Sequence, residues 1–244
     1  MKTQTADLAT LHDVIYPALT GNRRFLDFSP NSVHFAHSET AVFQSLLSNL
    51  RPACSIEVGT ETGTTLALIA RHSTRAISID IDPGVKSRLQ DKFENVEFIT
   101  GSSHDVLPVL LSRLTGEGVT PDFLFVDGDH SAAGVLKDLE FILKLTPTKQ
   151  MIVLMHDTFN PGCRQGILAA SWTRNPHCHF VDLDFCPGVL HPDDSCTRQM
   201  WGGLGLAVFL PQARKHTLEV KQTHRLTFEA AFLQSVYNRA PRSR

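Results

Sequence analysis

Two short segments in the middle of the chain combine carboxylates with histidine directly after apolar runs. Residues 125–130 read FVDGDH, and residues 154–158 read LMHDT. If both runs are neighbouring strands of one sheet, Asp127 and Asp157 are candidate ligands for Mg²⁺ or a similar ion, because carboxylate oxygens are donors that such ions prefer. His156 is either a third ligand or a partner that orients a ligand. The pattern predicts a polar site where these two strands end.

A glycine-containing loop follows an earlier apolar run. Residues 57–63 read EVGTETG and precede a helical pattern. Gly59 and Gly63 allow positive φ and a close approach of the backbone to a ligand. A dinucleotide-binding loop would read GxGxxG, whereas Glu57 replaces its first glycine here. A carboxylate at this position suits a cationic ligand better than a diphosphate, so Glu57, Gly59, Thr60 and Gly63 are candidate cofactor-binding residues.

Two further strand ends carry polar residues. Asp80 ends an apolar run about twenty residues after the glycine loop, where an acid accepts hydrogen bonds from ribose hydroxyls. Asp82 is expected to cap the next helix, and the alternative is that both acids serve only as caps. Ser102 and Ser103 follow the next run, where they either contact a ligand or cap the helix that we expect to start near residue 106.

Short apolar runs alternate with helical stretches from residue 53 to about residue 210. This alternation is typical of a parallel sheet covered by helices on both faces. We predict strands over 53–58, 76–79, 96–99, 123–126, 151–155, 179–185 and 204–210. We predict helices over 40–50, 64–71, 84–92, 106–114, 132–145, 162–172 and 226–237. The expected division is an N-terminal helical cap (1–50), a core (51–212) and a C-terminal helical extension (213–244).

Composition excludes several classes of function. Hydrophobic residues make up 42% of the chain, charged residues 20%, and the formal net charge is -2, so no basic face for nucleic acid is expected. A small-molecule substrate fits better. We expect no signal peptide and no membrane span, because no apolar run is long enough. The odd number of five cysteines, none spaced as CxxC, favours a reducing compartment such as the cytoplasm.

The C-terminal stretch has a local excess of basic residues. Residues 211–244 contain seven Lys or Arg residues and only two acidic residues. We expect either a solvated tail or a contact in a homo-oligomer. Three large aromatic residues, Trp172, Trp201 and Phe185, are candidates for lining a substrate pocket, the alternative being that they belong to the core.

The glycine loop resembles the first motif of class I S-adenosylmethionine-dependent methyltransferases. In that family the acidic end of the loop faces the methionine part of the cofactor, and the loop corresponding to Ser102 and Ser103 touches the adenine. The family resemblance implies a Rossmann-like, doubly wound α/β fold with a mostly parallel seven-stranded sheet, a C-terminal antiparallel strand and helices on both faces. It also implies S-adenosylmethionine as the cofactor.

The order VDGDH, a helix, a strand ending in HDT and then Pro-Gly resembles the metal-dependent O-methyltransferases over residues 55–166. The similarity is to the branch of macrolide sugar O-methyltransferases and cephalosporin-hydroxylase-like proteins, and more distantly to catechol-type enzymes. It implies that Asp127 and Asp157 are metal ligands and that His130 is the catalytic base. His156 departs from the macrolide branch, which has an acid there, and Thr158 departs from catechol-type enzymes, which have Asn.

The hypothesis is therefore O-methylation of a small hydroxylated molecule. Glu57, Asp80, Asp127 and Asp157 should surround one hollow that holds a positively charged sulfur donor, so Asp127 is also a candidate cofactor-binding residue. A bound cation would lower the pKa of the acceptor hydroxyl, and a histidine would accept its proton. The alternatives are a nicotinamide-dependent oxidoreductase, against which the missing GxGxxG loop argues, and a non-catalytic cofactor-binding protein.

Overall fold

The computed structural model describes residues 36–191 and 198–238. Its helices are α1 (His37–Leu50), α2 (Thr64–His72), α3 (Pro83–Leu89), α4 (Ser103–Gly116), α5 (Ala132–Ile142), α6 (Pro161–Ala169) and α7 (Arg225–Gln234). Its strands are β1 (Cys54–Val58), β2 (Arg75–Asp80), β3 (Val96–Thr100), β4 (Phe123–Val126), β5 (Met151–Met155), β6 (Cys178–Cys186), β7 (Val189–Leu190), β8 (Met200–Trp201), β9 (Leu204–Phe209) and β10 (Val220–Lys221). Short 3₁₀ turns follow α3, α6 and α7.

The main sheet has the strand order β10-β6-β9-β5-β4-β1-β2-β3. Strands β1 to β5 pair in parallel, and β9 runs antiparallel to both β5 and β6. The predicted doubly wound fold with a C-terminal antiparallel strand is confirmed. The sheet has eight strands rather than seven, because the two-residue edge strand β10 joins β6, and β7 and β8 form a separate ribbon. Elements of two residues are too short to show a periodic pattern in the sequence.

Strand β4 shows how the sheet separates two apolar layers. Leu124 and Val126 belong to the cluster that also contains the buried side chains of α4, α5 and α6. Phe123 and Phe125 belong to the cluster on the opposite face, together with residues of α1 and α2. Alternate residues of a strand point to opposite faces, so a continuously apolar strand is what a sheet covered on both sides requires.

Helix α1 packs directly on the sheet. The ring of Phe43 meets Phe123 and Phe125 edge-on, with centroid distances of 5.7 and 4.9 Å. The predicted helix over 40–50 is confirmed and begins three residues earlier. Residues 1–35 of the expected N-terminal cap and residues 239–244 of the basic tail lie outside the described residues, so the three-part division and the oligomer contact stay predictions.

Helix ends follow local side-chain chemistry. Ser131 caps α5 by accepting a hydrogen bond from the Gly134 amide. Asp82 caps α3 in the same way through the Gly84 amide, as its sequence position predicted. Helix α5 ends at Ile142 rather than at residue 145, since Leu143 is its C-cap and the amides of Lys144 and Leu145 form only 3₁₀-type bonds. None of the described helices combines the length and apolar character needed to cross a membrane.

The strand order reverses at β1, which lies between β2 and β4. In an open parallel sheet, ligands bind outside the carboxyl ends of the strands at such a reversal. The loops that follow β1, β2, β3, β4 and β5 therefore define where a functional site is expected.

Candidate active site

A cavity of about 1050 Å³ opens at the carboxyl ends of β1 to β5. This volume is at the upper end of the roughly 300–1,000 Å³ found for small-molecule sites. It is large enough for a nucleoside cofactor and a small second substrate together. Of the predicted catalytic, cofactor-binding and metal-binding residues, those lining the cavity are Gly59, Thr60, Asp80, Ser102, Ser103, Asp127, His130, His156 and Asp157.

The loop after β1 depends on its glycines. Gly59 has φ +83°, and a Cβ added there would lie 2.1 Å from the backbone oxygen of Asp127. Gly63 also has φ +83° and occupies the N-cap position of α2, where a Cβ would lie 2.6 Å from the side chain of Leu89. Only glycine combines this backbone conformation with so close an approach, so the loop can pass against the end of β4.

Glu57 lies beneath this loop rather than on the cavity wall. Its side chain is fully buried, and the Thr60 hydroxyl donates to its Oε2 at 2.7 Å. Burial raises the pKa of Glu57 to about 8, against the opposing hydrogen bonds from Thr65 and Thr60. The Glu57 side chain is therefore a neutral acid at neutral pH that holds the loop from below, and a direct contact with a cationic ligand stays a prediction.

Asp80 reaches the same loop from the end of β2. Its Oδ2 accepts hydrogen bonds from the amides of Thr60 and Glu61 at 2.8 and 2.9 Å, and its Oδ1 accepts from the Asp82 amide at 2.8 Å. Asp80 also lines the cavity. The carboxylate thus orders the glycine loop and remains accessible to a ligand.

The serines after β3 stand at the start of α4. Ser102 occupies the N-cap position, but its side chain makes no capping hydrogen bond. Helix α4 begins at Ser103, three residues before the predicted start. Because the Ser102 hydroxyl is not used as a cap and lines the cavity, it is available to a ligand.

The ends of β4 and β5 bring four ionisable side chains together. His130 Nε2 lies 3.2 Å from Asp127 Oδ1, and His130 Nδ1 lies 3.3 Å from Asp157 Oδ2. His156 Nδ1 lies 2.9 Å from the same Asp127 oxygen. His130 is half-exposed at 49%, whereas His156 is buried at 6%. The structure thus brings the ends of these two strands together, and the function of the group stays a prediction.

The four groups alter one another's protonation. Burial raises the pKa of Asp127, but the positive charge of His156 and hydrogen bonds from both histidines outweigh it and lower the pKa to about 2. The hydrogen bond to Asp127 raises the pKa of His130 above its usual value. Burial alone would lower the pKa of His156. Its contacts with Asp127, Glu39 and Asp157 outweigh burial, so that its pKa lies well above the usual value. The cluster therefore pairs an ionised carboxylate with basic imidazoles.

Three of these residues have the spacing of a metal site. One donor atom each from Asp127, His156 and Asp157 lies within 4.8 Å of the others. Asp157 adopts φ +54°, an unusual conformation for a residue other than glycine, and the Gly202 amide donates to its Oδ1 at 2.6 Å. Strained backbone of this kind is concentrated at functional sites.

Glu39 on α1 is a member of the site that the sequence reasoning missed. It is 1% exposed, and its Oε1 lies 3.6 Å from His156 Nε2. Glu39 precedes Phe43 and Leu47 by four and eight residues, which places it on the apolar face of the helix. An acid on such a face is the signal that would have indicated a buried partner.

The outer wall of the cavity comes from the C-terminal half of the chain. Gln199, Trp201 and Tyr237 line it. Of the aromatic residues that were expected either to line a pocket or to belong to the core, Trp201 lines the cavity. Trp172 is buried in the core at 2% exposure. Phe185 is 38% exposed and is not part of the wall. Tyr237 carries no sequence signal, because only the folded chain brings the region after α7 to the cavity.

Comparisons with known proteins relate the central part of the chain to a methyltransferase domain and its fold to solved O-methyltransferases. Residues 56–158 match the family model described as a methyltransferase domain. No curated protein sequence matches this chain at a significant level. The fold is similar to an O-methyltransferase from Bacillus cereus in complex with SAH, at 16% identity and a TM-score of 0.53 over 85% of this chain and 93% of that chain. It is also similar to the O-methyltransferase TomG from Streptomyces achromogenes, involved in tomaymycin synthesis and in complex with SAM, at 18% identity and a TM-score of 0.52 over 72% and 82% of the two chains.

Residues 56–158 are thus similar to a methyltransferase domain, and the described chain has the Rossmann-like fold of these two O-methyltransferases. The family match spans the glycine loop and the ends of β2, β4 and β5, which are the segments that build the cavity. It favours the methyltransferase interpretation over a nicotinamide-dependent oxidoreductase.

Proposed function

We propose that this protein transfers the methyl group of S-adenosylmethionine to a hydroxyl oxygen of a small molecule. The observation that carries the proposal is His130, which is half-exposed at the cavity and lies between the carboxylates of Asp127 and Asp157. Oxygen acceptors must lose a proton during methyl transfer, and a histidine positioned in this way is suited to accept it.

The cofactor is proposed to bind across the ends of β1, β2 and β3. The glycine loop with Gly59 and Thr60 would face the methionine part, above Glu57 and next to Gly63. Asp80 would accept hydrogen bonds from the ribose hydroxyls, and Ser102 and Ser103 would contact the adenine. Asp127 would border the sulfonium. Except for Glu57 and Gly63, which support the loop, all of these residues line the cavity.

The proton transfer is proposed to use the two nitrogens of His130 differently. A neutral imidazole has one N–H donor and one acceptor nitrogen. When Nε2 donates to Asp127, Nδ1 would be the acceptor nitrogen, and the half-exposed ring would turn it from Asp157 toward the substrate hydroxyl to take up the proton. The carboxylates then stabilise the imidazolium that forms. In-line alignment of the acceptor oxygen, the methyl carbon and the sulfur lowers the activation free energy further, because the reacting atoms are already oriented for transfer.

Mg²⁺ is only partly matched by the residues present. Asp127 and Asp157 are oxygen donors of the kind that Mg²⁺ uses, but His156 contributes nitrogen, and Mg²⁺ sites are built mainly from oxygen ligands. The proposed proton transfer to His130 does not depend on Mg²⁺. A divalent ion held by the three residues would lower the pKa of the acceptor hydroxyl.

The proposed setting is the cytoplasm. The described cysteines Cys54, Cys163, Cys178 and Cys186 are all buried and unpaired, as expected in a reducing compartment.

Calorimetry with S-adenosylhomocysteine tests cofactor binding, and a thermal-shift comparison of S-adenosylmethionine with NAD(P) tests the oxidoreductase alternative. A panel of hydroxylated and amino-containing small molecules, incubated with methyl-labelled cofactor, then tests the acceptor. We expect label in O-methyl products that require His130. Transfer only to nitrogen acceptors would contradict the proposal, and a failure to bind S-adenosylhomocysteine at millimolar concentration would remove the cofactor assignment.

A further inference from the structure

His156 is held between two carboxylates on opposite sides of its ring. Nδ1 faces Asp127 at 2.9 Å on the cavity side, and Nε2 faces Glu39 at 3.6 Å on the buried side. A histidine that binds a metal through one nitrogen usually directs the other toward a carboxylate or carbonyl oxygen, which fixes the ring orientation and the tautomer. The Glu39–His156 pair has this arrangement.

Glu39 is itself held by backbone groups. The Ala36 amide donates to its Oε2 at 2.6 Å, and the Gly203 amide donates to its Oε1. Gly202 allows this approach, because a Cβ at that position would lie 2.7 Å from Glu39 Oε1. The carboxylate is therefore fixed by α1 and by the turn before β9, and it is placed behind His156 without being able to reach the cavity.

The donor set has a chemical preference. Carboxylate and water ligands suit Mg²⁺ and Ca²⁺, whereas imidazole suits Fe²⁺, Co²⁺, Ni²⁺ and Zn²⁺. Asp127, His156 and Asp157 offer two oxygens and one nitrogen within 4.8 Å. His130 contacts both carboxylates and adds a second imidazole at the edge of this group.

We propose that the Asp127–His156–Asp157 group binds a divalent first-row transition-metal ion in preference to Mg²⁺, and that Glu39 is the positioning residue that directs His156 Nδ1 toward it. This inference rests on the metal site of the proposed function, but not on the identity of the acceptor or on methyl transfer.

The first experiment measures metal affinity on the chelator-treated full-length protein by calorimetry, with Co²⁺ and Mg²⁺ as the probes. We expect Co²⁺ to bind much more tightly than Mg²⁺. His156→Asp restores an all-oxygen set and should lower the ratio of Co²⁺ to Mg²⁺ affinity by about tenfold or more. The visible spectrum of bound Co²⁺ should change in the same variant, since one nitrogen ligand is lost.

A matched control addresses Co²⁺ bound elsewhere. His179 lies next to His216, with ring centroids 5.7 Å apart, and forms a second histidine pair away from the cavity. His179→Asp should leave both the affinity ratio and the spectrum of the high-affinity Co²⁺ unchanged. If His179→Asp lowers the ratio and His156→Asp does not, the ion binds outside the proposed group and the proposal is wrong.

The second experiment tests Glu39. Glu39→Gln keeps the size of the side chain but removes its charge, and it should weaken Co²⁺ binding by roughly 10–100-fold while S-adenosylhomocysteine affinity is maintained. Glu140→Gln is the matched control, because Glu140 on α5 also accepts a backbone hydrogen bond, from the Ser171 amide at 2.7 Å, but is not among the residues that line the cavity. Glu39→Asp, which withdraws the carboxylate from His156, provides a second variant if the first does not fold.

Three results overturn the inference. The first is equal affinity of the protein for Co²⁺ and Mg²⁺. The second is a ratio of Co²⁺ to Mg²⁺ affinity that His156→Asp leaves unchanged. The third is that the Glu39 variants bind Co²⁺ as tightly as the Glu140→Gln control does. The proposed function fails separately, through the absence of S-adenosylhomocysteine binding or of O-methyl product. A protein that binds cofactor and methylates oxygen without binding either metal would retain the function and lose the metal site.

Discussion

Two clusters of charged side chains, one between helices and strands of the fold and one at the cavity, differ in how their polar groups are arranged. Arg164 on α6 and Asp184 on β6 are 3% and 1% exposed and form two parallel hydrogen bonds at 2.7 and 3.2 Å. The guanidinium also donates to the Thr158 carbonyl and to Gln222, and its face lies 4.1 Å from the ring of Phe228. This cluster joins α6, β6 and α7, and neither Arg164 nor Asp184 lines the cavity.

The cluster of Asp127, His130, His156 and Asp157 is arranged differently. Two imidazoles approach one oxygen of Asp127, and His130 remains half-exposed to the cavity. The backbone at Asp157 adopts a positive φ to reach this position. The comparison shows that a buried charge with a complete set of fixed partners serves the fold, whereas a charge cluster with shared partners and an open side is available for a ligand.

The largest effect is expected when Asp127 is changed. Asp127→Asn keeps the shape of the side chain but removes the charge that holds both histidines and the proposed ion. Methyl transfer to an accepted substrate should fall by roughly 10³–10⁴-fold, the range seen when a carboxylate that orients a catalytic histidine becomes an amide. Steady-state kinetics on the labelled-methyl assay measures it.

The stability of Asp127→Asn should change by only about 1 kcal/mol, because a histidine that loses its carboxylate partner can release its proton, which Arg164 cannot, and because the amide oxygen can still accept one hydrogen bond. If Asp127→Asn stays active but its free energy of unfolding falls by several kcal/mol, the cavity cluster has a structural role and the assignment is wrong.

Arg164→Met is expected to have the opposite profile. Removing one partner of a buried ion pair leaves the other charge unpaired, so the free energy of unfolding should fall by about 3–5 kcal/mol. The rate of methyl transfer per folded molecule should be maintained, since Arg164 is not part of the cavity wall. Urea denaturation followed by circular dichroism gives the stability. A loss below about 1 kcal/mol would show that the pair is not the structural element that its hydrogen bonds indicate.

His130→Gln should lower kcat by roughly 10²–10³-fold, because general-base catalysis contributes effects of this size. S-adenosylhomocysteine affinity and the unfolding free energy should change little, since His130 is half-exposed. His104→Gln is a useful comparison, because His104 also lines the cavity but contacts Asp138 rather than the Asp127 cluster. Equal losses in both variants would argue against a proton-transfer role for His130.

The smallest effect concerns Glu57, a buried acid without a cationic partner. Its pKa is raised to about 8 by burial, so the folded protein holds this proton more tightly than the unfolded chain does. Its contribution to stability is therefore complete below about pH 4.5 and is lost as the pH rises through about 8.

Glu57→Gln removes this titration. The stability advantage of the variant over the unchanged protein should grow between pH 5 and pH 8, because only the unchanged protein loses stability as the pH rises. We expect a gain on the order of 2 kcal/mol, since relaxation and water penetration reduce the full effect of the pKa shift. Urea unfolding of the cofactor-free proteins at several pH values measures the difference. If the unfolding free energies of the two proteins depend on pH in the same way, Glu57 is ionised in the folded protein, as the carboxylates of the cavity cluster are.

The fold was predictable because its signals are local. Apolar runs mark β1 to β5, and Ser131 and Asp82 mark two helix starts. The reversal of strand order then directs the polar residues that follow these strands to one edge of the sheet. Asp127 and Asp157 could be placed together by this rule, although they are far apart in the chain.

Contacts between distant elements could not be read in the same way. The sequence identifies Glu57 as an acid in a glycine loop, but its burial and raised pKa depend on the packing of the loop against β4. Glu39 and Tyr237 come from the two ends of the described chain, Glu39 to the buried side of His156 and Tyr237 to the cavity wall. The residue types and their periodicity thus determine which elements form and which strand ends carry chemistry. Tertiary packing decides which of these groups are charged, paired or open to a ligand, because desolvation and hydrogen bonding depend on neighbours that no local pattern specifies.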